Sequence, residues 1–427
     1  MIKLGFLIYD FIILPLLNVV FRIMALFNKK VKRGLTARKK IFENLIINMA
    51  DLDKSKKMVW FHSASMGEFE QAKPIIQKLK ETKDVNVVIT FFSPSGYENS
   101  VKYPFADIIS YIPVDTKFRT RRFLNQVKPD IAVIMRYDIW PNIILQLDKM
   151  NIPTFLVDAT MRGNSARKLP YLKSFHKFIY NKLSRILTIS DSDLNSFLDF
   201  NIEESKLKAV GDTRFDRVYQ KSIDARSKKL FRDGVFGGKK VFVMGSSWEA
   251  DENIVLPAMK KILLRDEDLI LIVVPHEPTV SHLEDLENTL SKDFATIRFS
   301  LMNNYKGERI ILIDSIGILL TLYCYADAAY VGGSFKQGIH NVLEPAVYGI
   351  PVIYGPKIEN SQEAQYLAEK EGGFVIKNKK NAYKTIRSLF LYDEKRIKAG
   401  EIAKEYVKSN VGATKQILTE IYKTLDV

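Results

Sequence analysis

The chain has 427 residues, of which 47% are hydrophobic and only one is a cysteine; this length predicts two domains, and the cysteine count excludes a disulfide framework and a cysteine-ligated zinc site. The net charge is +15 and uneven, because residues 1–225 carry 36 Lys and Arg against 23 Asp and Glu while the remainder carries only +2. We therefore expect the first half to face an anionic membrane surface, since no nucleic-acid recognition motif is present.

The first predicted element is an apolar segment over residues 4–27, interrupted by Asp10, Pro15 and Arg22. A basic stretch from Lys29 to Lys40 follows it, as expected beside anionic lipids on the cytoplasmic side of a membrane. We expect residues 1–27 to form a membrane-associating helix that either spans the bilayer or lies in its interface. The alternative is a hydrophobic helix packed on its own domain.

A first α/β domain is predicted over residues 28–225. Apolar runs indicate strands at 58–62, 86–92, 107–112, 130–135, 154–157, 186–190 and 208–210, separated by helical stretches, which predicts a parallel doubly wound sheet. Glu68 falls at the carboxyl end of the first strand, where a catalytic carboxylate belongs. The alternative role for Glu68 is a favourable partner for the helix dipole.

A second α/β domain is predicted over residues 226–427, after a polar linker at 218–238. Strands are indicated at 240–244, 269–274, 310–313, 328–331 and 351–354, and helices at 382–407 and 411–424. We expect Cys324, within an apolar run, to be buried.

The densest motif lies between the last two of these strands. Gly332, Gly333 and Ser334 follow one strand directly, and His340, Asn341 and Glu344 then stand where a helix is expected to begin, with Asn341 as its N-cap. A helix N-terminus presents free N–H groups to an anion. The sequence therefore predicts a ligand site at this sheet edge, with tight αβ packing without a ligand as the alternative.

Several motifs together identify a resemblance. They are HSASMGE at 62–68, SPSG at 93–96, WPN at 140–142, GSSWEADE at 245–252 and VGGSFKQGIHNVLEPA at 331–346. In this order, and with the apolar N-terminal segment, the chain resembles the 3-deoxy-D-manno-octulosonate (Kdo) transferases of lipopolysaccharide synthesis. The resemblance covers nearly the whole chain.

The resemblance implies a glycosyltransferase B fold, in which two Rossmann-like domains face each other across a cleft. It implies Glu68 as the catalytic base and Arg214 as a cation that stabilises the transition state. Arg136 stands in the supporting position before the WPN motif and is a third catalytic candidate. The nucleotide would be held by three loops, with the residues Pro275, His276, Ile316, Gly317, Ile318, Asn341, Val342, Leu343 and Glu344.

Some positions depart from the family pattern. Arg136 replaces a common Glu, Arg214 a common Lys, and Trp248 a His. Pro275-His276-Glu277-Pro278 replaces Pro-Arg-His-Pro, so that one cation able to meet phosphate is missing. We interpret the chain as a divergent branch.

The implied reaction is an inverting transfer of Kdo from CMP-Kdo to a lipid A precursor, lipid IVA, with no further cofactor and no metal. Two alternatives stay open. The first is another nucleotide-sugar transferase or epimerase of the same fold, and the second is a catalytically inactive protein that binds membrane surfaces.

Overall fold

The computed structural model describes residues 2–426, which form two compact units. The first unit comprises the chain up to Arg217 together with the segment from Val411 onward, and the second comprises Val218–Asn410. Each unit is built on one seven-stranded sheet in which every strand pair is parallel.

The first unit alternates strands and helices after an all-helical N-terminal part. Its strands are β1 (Met58–Ser63), β2 (Asn86–Phe91), β3 (Ile108–Tyr111), β4 (Ile131–Met135), β5 (Thr154–Ala159), β6 (Arg185–Thr188) and β7 (Leu207–Ala209). Its helices are α1 (Ile2–Ile8), α2 (Leu14–Phe27), α3 (Lys29–Arg38), α4 (Ile41–Ala50), α5 (Met66–Thr82), α6 (Pro94–Glu98), α7 (Lys117–Val127), α8 (Pro141–Lys149), α9 (Pro170–Tyr180) and α10 (Asp191–Leu198). A further helix, α11 (Thr213–Arg226), begins in the first unit and continues past Arg217 into the second. A π-helical turn, Tyr9–Ile13, joins α1 to α2.

The strand order of the first sheet is β3-β2-β1-β4-β5-β6-β7. Side chains alternate between its two faces, so that Trp60 packs in one apolar cluster while Val59 and Phe61 pack in the other. The chain order reverses between β1 and β4. Ligands of open α/β sheets bind at such a reversal, beyond the carboxyl ends of the strands.

The second unit repeats this architecture. Its strands are β8 (Lys240–Ser247), β9 (Leu269–Pro275), β10 (Thr296–Arg298), β11 (Ile310–Leu312), β12 (Ala328–Val331), β13 (Val352–Tyr354) and β14 (Gly373–Val375). Its helices are α12 (Glu249–Leu263), α13 (Val280–Leu290), α14 (Leu319–Leu322), α15 (Leu343–Ala346), α16 (Gln362–Glu369), α17 (Lys379–Leu391) and α18 (Asp393–Ser409). The strand order β10-β11-β9-β8-β12-β13-β14 reverses between β8 and β12.

The predicted doubly wound α/β class with an apolar N-terminal helix is therefore confirmed. The domain boundaries differ from the prediction. The expected linker at 218–238 is helical up to Arg226, because α11 continues through it. The last helix, α19 (Ala413–Leu425), returns to the first unit, because Ile417, Leu418 and Ile421 join the apolar cluster on one face of the first sheet.

Three local expectations are also corrected. The helix expected over 382–407 is two helices, α17 and α18, separated at Tyr392, whose backbone is extended. The single turn α15 begins at Leu343, so Asn341 precedes the helix and is not its N-cap. Cys324 is exposed, because it lies in a short 3-10 turn at the surface.

Candidate active site

Four polar residues of the first unit lie at the reversal between β1 and β4. His62 lies near the end of β1, Glu68 in the first turn of α5, and Arg136 and Asp138 directly after β4. Arg136 has a φ of 59°, a left-handed conformation that non-glycine residues rarely adopt. Such backbone strain concentrates at functional sites, where the surrounding structure compensates for it.

Glu68 is a buried carboxylate with an elevated pKa. Its side chain is 6% exposed, and its Oε2 accepts the Ala64 backbone N–H at 2.6 Å. Burial raises the pKa of Glu68, the negative charge of Asp138 raises it further, and the Ala64 hydrogen bond, His62 and Arg136 oppose the shift. A carboxylate whose pKa is raised is a stronger base once it has lost its proton, so the site suits proton abstraction.

Near Glu68, hydrogen bonds of His62 on β1 connect β2 to the loop that follows β4. The Nδ1 of His62 lies 2.9 Å from Thr90 Oγ1, and its Nε2 lies 2.7 Å from Asp138 Oδ2. The Trp140 indole N–H donates to the same Asp138 oxygen at 3.2 Å. Although burial opposes it, the hydrogen bonds from His62 and Trp140 lower the pKa of Asp138. Asp138 therefore stays anionic and orients the imidazole of His62.

Arg214 belongs to a second cluster in the same unit. At the start of α11, its Nε and Nη2 donate to Asp212 Oδ2 at 2.9 and 2.7 Å. Asp158, at the end of β5, accepts hydrogen bonds from the Thr213 backbone N–H and hydroxyl. Burial, and then the charge of Asp212, raise the pKa of Asp158, while Arg136 opposes the shift. Arg136 thus interacts electrostatically with both Glu68 and Asp158.

In the second unit, residues 332–334, the glycine loop, follow β12 at the reversal between β8 and β12. Asp251, buried in the first turn of α12, holds this loop with both carboxylate oxygens. Its Oδ2 accepts the backbone N–H groups of Trp248 at 3.0 Å and Gly333 at 2.9 Å, and its Oδ1 accepts the Tyr330 hydroxyl at 2.6 Å. Gly332 has no room for a side chain, because a Cβ there would lie 2.0 Å from the Ser246 carbonyl oxygen.

Three aromatic rings meet beside this loop. The Trp248 indole N–H donates to His340 Nε2 at 2.9 Å. The His276 ring stacks on both, with centroid distances of 4.5 Å to Trp248 and 4.4 Å to His340. Burial and then His276 lower the pKa of His340. The imidazole of His340 is therefore neutral, with Nε2 unprotonated and its single ring proton on Nδ1.

The three expected nucleotide loops all follow the carboxyl ends of strands in the second unit. His276 and His340 bring the first and third loops into direct contact. Ile316 is 85% exposed, and Gly317 has a φ of 86°. Asn341 is exposed, donates from Nδ2 to Glu344 Oε1 at 3.2 Å and accepts the Leu343 N–H at 3.1 Å.

The other nucleotide candidates have mixed surroundings. The side chains of Val342 and Leu343 are buried in the second unit. Pro275 ends β9, and Ile318 directly precedes α14. Because α15 has only four residues, the anion-binding helix N-terminus expected at 341–344 is absent there. The residues of that loop can offer only individual backbone and side-chain groups.

The sequence does not reveal the partners that hold these residues in place. His62 is visible in it only as part of a motif, although a histidine within a continuously buried strand is itself a signal. Asp251 belonged to a recognised motif, but only the structure shows its oxygens on the glycine loop. Among residues 2–426, no group of three or more His, Cys, Asp and Glu is arranged to hold a metal ion.

The N-terminal helical segment is hydrogen-bonded to the rest of the first unit at Asp115 and Asn142. The Tyr9 hydroxyl donates to Asp115 Oδ2 at 2.8 Å, and the Asn142 amide donates to Asp10 Oδ1 at 2.7 Å. Asp115 also accepts the backbone N–H groups of Asn142 and Ile143 at 2.9 and 2.8 Å. Asn142 of the WPN motif therefore joins the apolar segment to the start of α8.

Comparison with known proteins identifies relatives across most of the chain. A family model described as 3-deoxy-D-manno-octulosonic-acid transferase matches residues 37–217. A 3-deoxy-D-manno-octulosonic acid transferase of Aquifex aeolicus is 31% identical over 83% of this chain and 92% of its own length. The Haemophilus influenzae protein of that name is 28% identical over 84% of this chain and 85% of its own length.

Other similarities are to longer or more distant proteins. A bifunctional glycosyltransferase/methyltransferase of Fusobacterium nucleatum is 28% identical over 82% of this chain, which spans only 55% of that relative's length. Among solved structures, the UDP-GlcNAc 2-epimerase of Neisseria meningitidis superposes with a TM-score of 0.61 over 86% of this chain and 100% of its own. At 15% identity, this likeness shows the fold alone.

Proposed function

The chain belongs to the family of 3-deoxy-D-manno-octulosonic acid transferases, and from this premise we propose that it transfers Kdo from CMP-Kdo to a hydroxyl group of a lipid A precursor. The observation that carries the proposal is Glu68, a buried carboxylate of elevated pKa at the strand reversal of the first unit. Its surroundings suit a general base.

In the proposed reaction, Glu68 removes the proton of the acceptor hydroxyl as that oxygen attacks the anomeric carbon of Kdo. The bond between this carbon and the phosphate oxygen of CMP breaks, CMP leaves with the bonding electrons, and the anomeric configuration inverts. Arg136 offsets charge at Glu68, since it opposes the rise of its pKa. We assign Arg214 the role of meeting an anionic group of the substrate.

The second unit supplies the proposed donor site. Glycine loop 332–334 is fixed by Asp251 and allows close approach of a ligand. Asn341 and Glu344 supply polar groups for the nucleotide, and His340, with its proton on Nδ1, supplies a neutral donor. The Pro275-His276 and 316–318 loops complete the proposed nucleotide contacts. Neither unit needs a metal ion or a further cofactor in this scheme.

We propose that the N-terminal segment lies in the inner-membrane interface, on the cytoplasmic side. Ile2–Phe27 is long and apolar enough to cross a membrane, and only a small part of its most apolar stretch is buried. One face of this segment contacts the rest of the first unit along its length. Gly5 lies against the ring of Phe175, and the ring of Phe21 packs on that of Phe92. Attachment along this length supports the interfacial arrangement over a span, with the exposed face as the part that enters the interface.

The test is the purified full chain with CMP-Kdo and tetra-acylated lipid A precursor, followed by mass analysis of the product. We expect Glu68→Gln to lower turnover by a factor of about 100–10,000, because the general base is lost while the shape is kept. CMP affinity should be unchanged. Near-normal turnover in Glu68→Gln, together with collapse in Asp138→Asn, would transfer the role of base to Asp138.

The second candidate function is the alternative that the sequence leaves open, another nucleotide-sugar transferase or epimerase of the same fold. A UDP-sugar offered in place of CMP-Kdo distinguishes the two activities, since an epimerase would return an isomer of the nucleotide sugar without a lipid product. A protein that only binds membranes would bind the acceptor and turn over neither donor.

A further inference from the structure

Two neighbouring hollows flank α2 on the first unit. The smaller is an apolar cavity of about 110 Å³. Its wall includes side chains from α2 and α3 and two aromatic rings beside the β1/β4 reversal, namely Leu14, Leu17, Phe21, Leu35, Phe92 and Trp140. Arg38 and Asp115 are the two ionisable residues in a lining that is otherwise largely apolar. A cavity of this order is large enough to take a small hydrocarbon group.

The larger hollow is a basic groove of about 700 Å³ between α2, α3 and α7. Six cations and no carboxylate line it, namely Arg22, Lys32, Arg38, Lys39, Arg119 and Arg122. Within residues 2–426, no salt bridge joins any of these six to an acidic side chain. Unneutralised charge of one sign in a groove concentrates a ligand of the opposite charge.

The two hollows are continuous in their lining, because Asn18, Leu35, Arg38 and Val114 line both. Arg38 forms the wall between them. Its Nη1 donates to the Gly34 carbonyl at 3.2 Å, and its guanidinium lies 4.6 Å from the centroid of the Tyr111 ring and 5.0 Å from that of Phe92. A ligand with an apolar end and an anionic end therefore fits the pair better than either hollow alone.

We propose that the cavity and the groove are two halves of one site, which takes a hydrocarbon end of the acylated acceptor in the cavity and its phosphate in the groove. The inference rests on the proposed transfer to a lipid acceptor and adds the residues that select it. Trp140 lies between this site and the surroundings of the proposed base, because it lines the cavity and donates to Asp138, whose charge acts on Glu68. The bound lipid thus lies beside the β1/β4 reversal.

The chain offers a matched pair of variants for the groove. Lys39→Glu/Arg119→Glu reverses two charges that line the groove. Lys40→Glu/Arg121→Glu makes the same change at exposed positions next to them that do not line it. With tetra-acylated, phosphorylated acceptor, we expect the groove variant to raise KM about tenfold or more and to leave kcat and CMP affinity unchanged. The control should change KM less than about twofold.

The two variants also separate a specific site from general attraction to anionic lipid. Both should lose binding to vesicles containing phosphatidylglycerol equally, because both lose the same charge. Equal increases of KM in the two variants would overturn the proposal and leave only attraction to the membrane surface.

A binding experiment tests the site without the transfer reaction. Dodecyl phosphate, below its micelle concentration, should bind the full chain more tightly than inorganic phosphate or dodecanol. Leu17→Phe, which fills the cavity, and Lys39→Glu/Arg119→Glu should each weaken this binding about tenfold or more. If dodecyl phosphate binds no better than inorganic phosphate, the two hollows do not act together. If it binds as expected while the wild-type chain transfers no Kdo, the site stands and the proposed function fails.

Discussion

At the residue scale, the raised pKa of Glu68 predicts how stability and activity vary with pH. Burial raises its pKa in the folded chain, so its contribution to stability is complete below the unfolded pKa and is lost as pH rises through the folded value. Activity has the opposite dependence, because only the deprotonated carboxylate accepts a proton. Turnover should therefore fall as pH drops through the raised pKa of Glu68.

Glu68→Gln should separate these two effects. We expect its free energy of unfolding at neutral pH to equal or exceed that of the wild type, because a neutral amide is buried in place of a charge and can still accept the Ala64 N–H. The difference should vanish at acidic pH. Denaturant titrations at several pH values measure this, and a large loss of stability at neutral pH would assign Glu68 a structural role.

Trp248, a departure from the family pattern, gives a second prediction at this scale. Trp248→Phe removes the indole N–H that donates to His340 Nε2 but keeps a ring against His276. Because that hydrogen bond requires an unprotonated Nε2, its loss should raise the pKa of His340. NMR titration of the imidazole resonances measures the shift, and His276→Phe, which keeps a ring but removes the neighbouring ionisable group, measures the separate contribution of His276. An unchanged or lower pKa in Trp248→Phe would contradict the assigned tautomer.

At the element scale, the sequence predicted the strands well and the ends of the units poorly. Apolar runs such as β1, β4 and β9 are buried on both sides and therefore read as strands without knowledge of their neighbours. The sequence does not indicate the two edge strands of the second sheet, β10 and β14, because each buries only one residue and shows no continuous apolar run.

Long-range partners explain the remaining differences. The family motifs located Glu68 and the glycine loop, but His62 and Asp138 are 76 positions apart, and their bond depends on the pairing of β1 with β4. Likewise, the apolar face of α19 was visible in the sequence, whereas its partner unit was not, because almost 200 residues separate α19 from the rest of that unit.

The burial of α19 supports a stability prediction. Ile421 is fully buried in the first unit, and truncation of such a side chain leaves a cavity. Ile421→Ala should therefore lower the free energy of unfolding of the first unit by about 2–5 kcal/mol. Lys415→Ala, at an exposed position of the same helix, should change it by less than about 0.5 kcal/mol. Denaturant titration followed by fluorescence suits this test, because Trp60 and Trp140 report on the first unit; equal effects of the two variants would contradict the packing of α19.

At the scale of the whole molecule, the inner face of the N-terminal segment contacts the protein, and its outer face is the one that we propose contacts the membrane. Its outer face bears exposed apolar side chains, among them Leu16, Val20 and Phe27. Changing these three to Ser should reduce sedimentation with anionic vesicles and leave the melting temperature nearly unchanged, because the inner face keeps its contacts. Undiminished sedimentation would show that the basic residues alone hold the protein at the surface.

The return of α19 to the first unit has a consequence for the order in which the chain matures on the ribosome. The second unit is one continuous stretch, Val218–Asn410, and can complete its core as soon as it has emerged. The first unit begins earlier, and α5 covers part of one face of its sheet, but the cluster on that face is completed only by Ile417, Leu418 and Ile421. At about 5–20 residues per second, translation of the intervening stretch leaves the remaining part of that face uncovered for roughly 10–40 seconds. The first domain to be synthesised is thus the last to close.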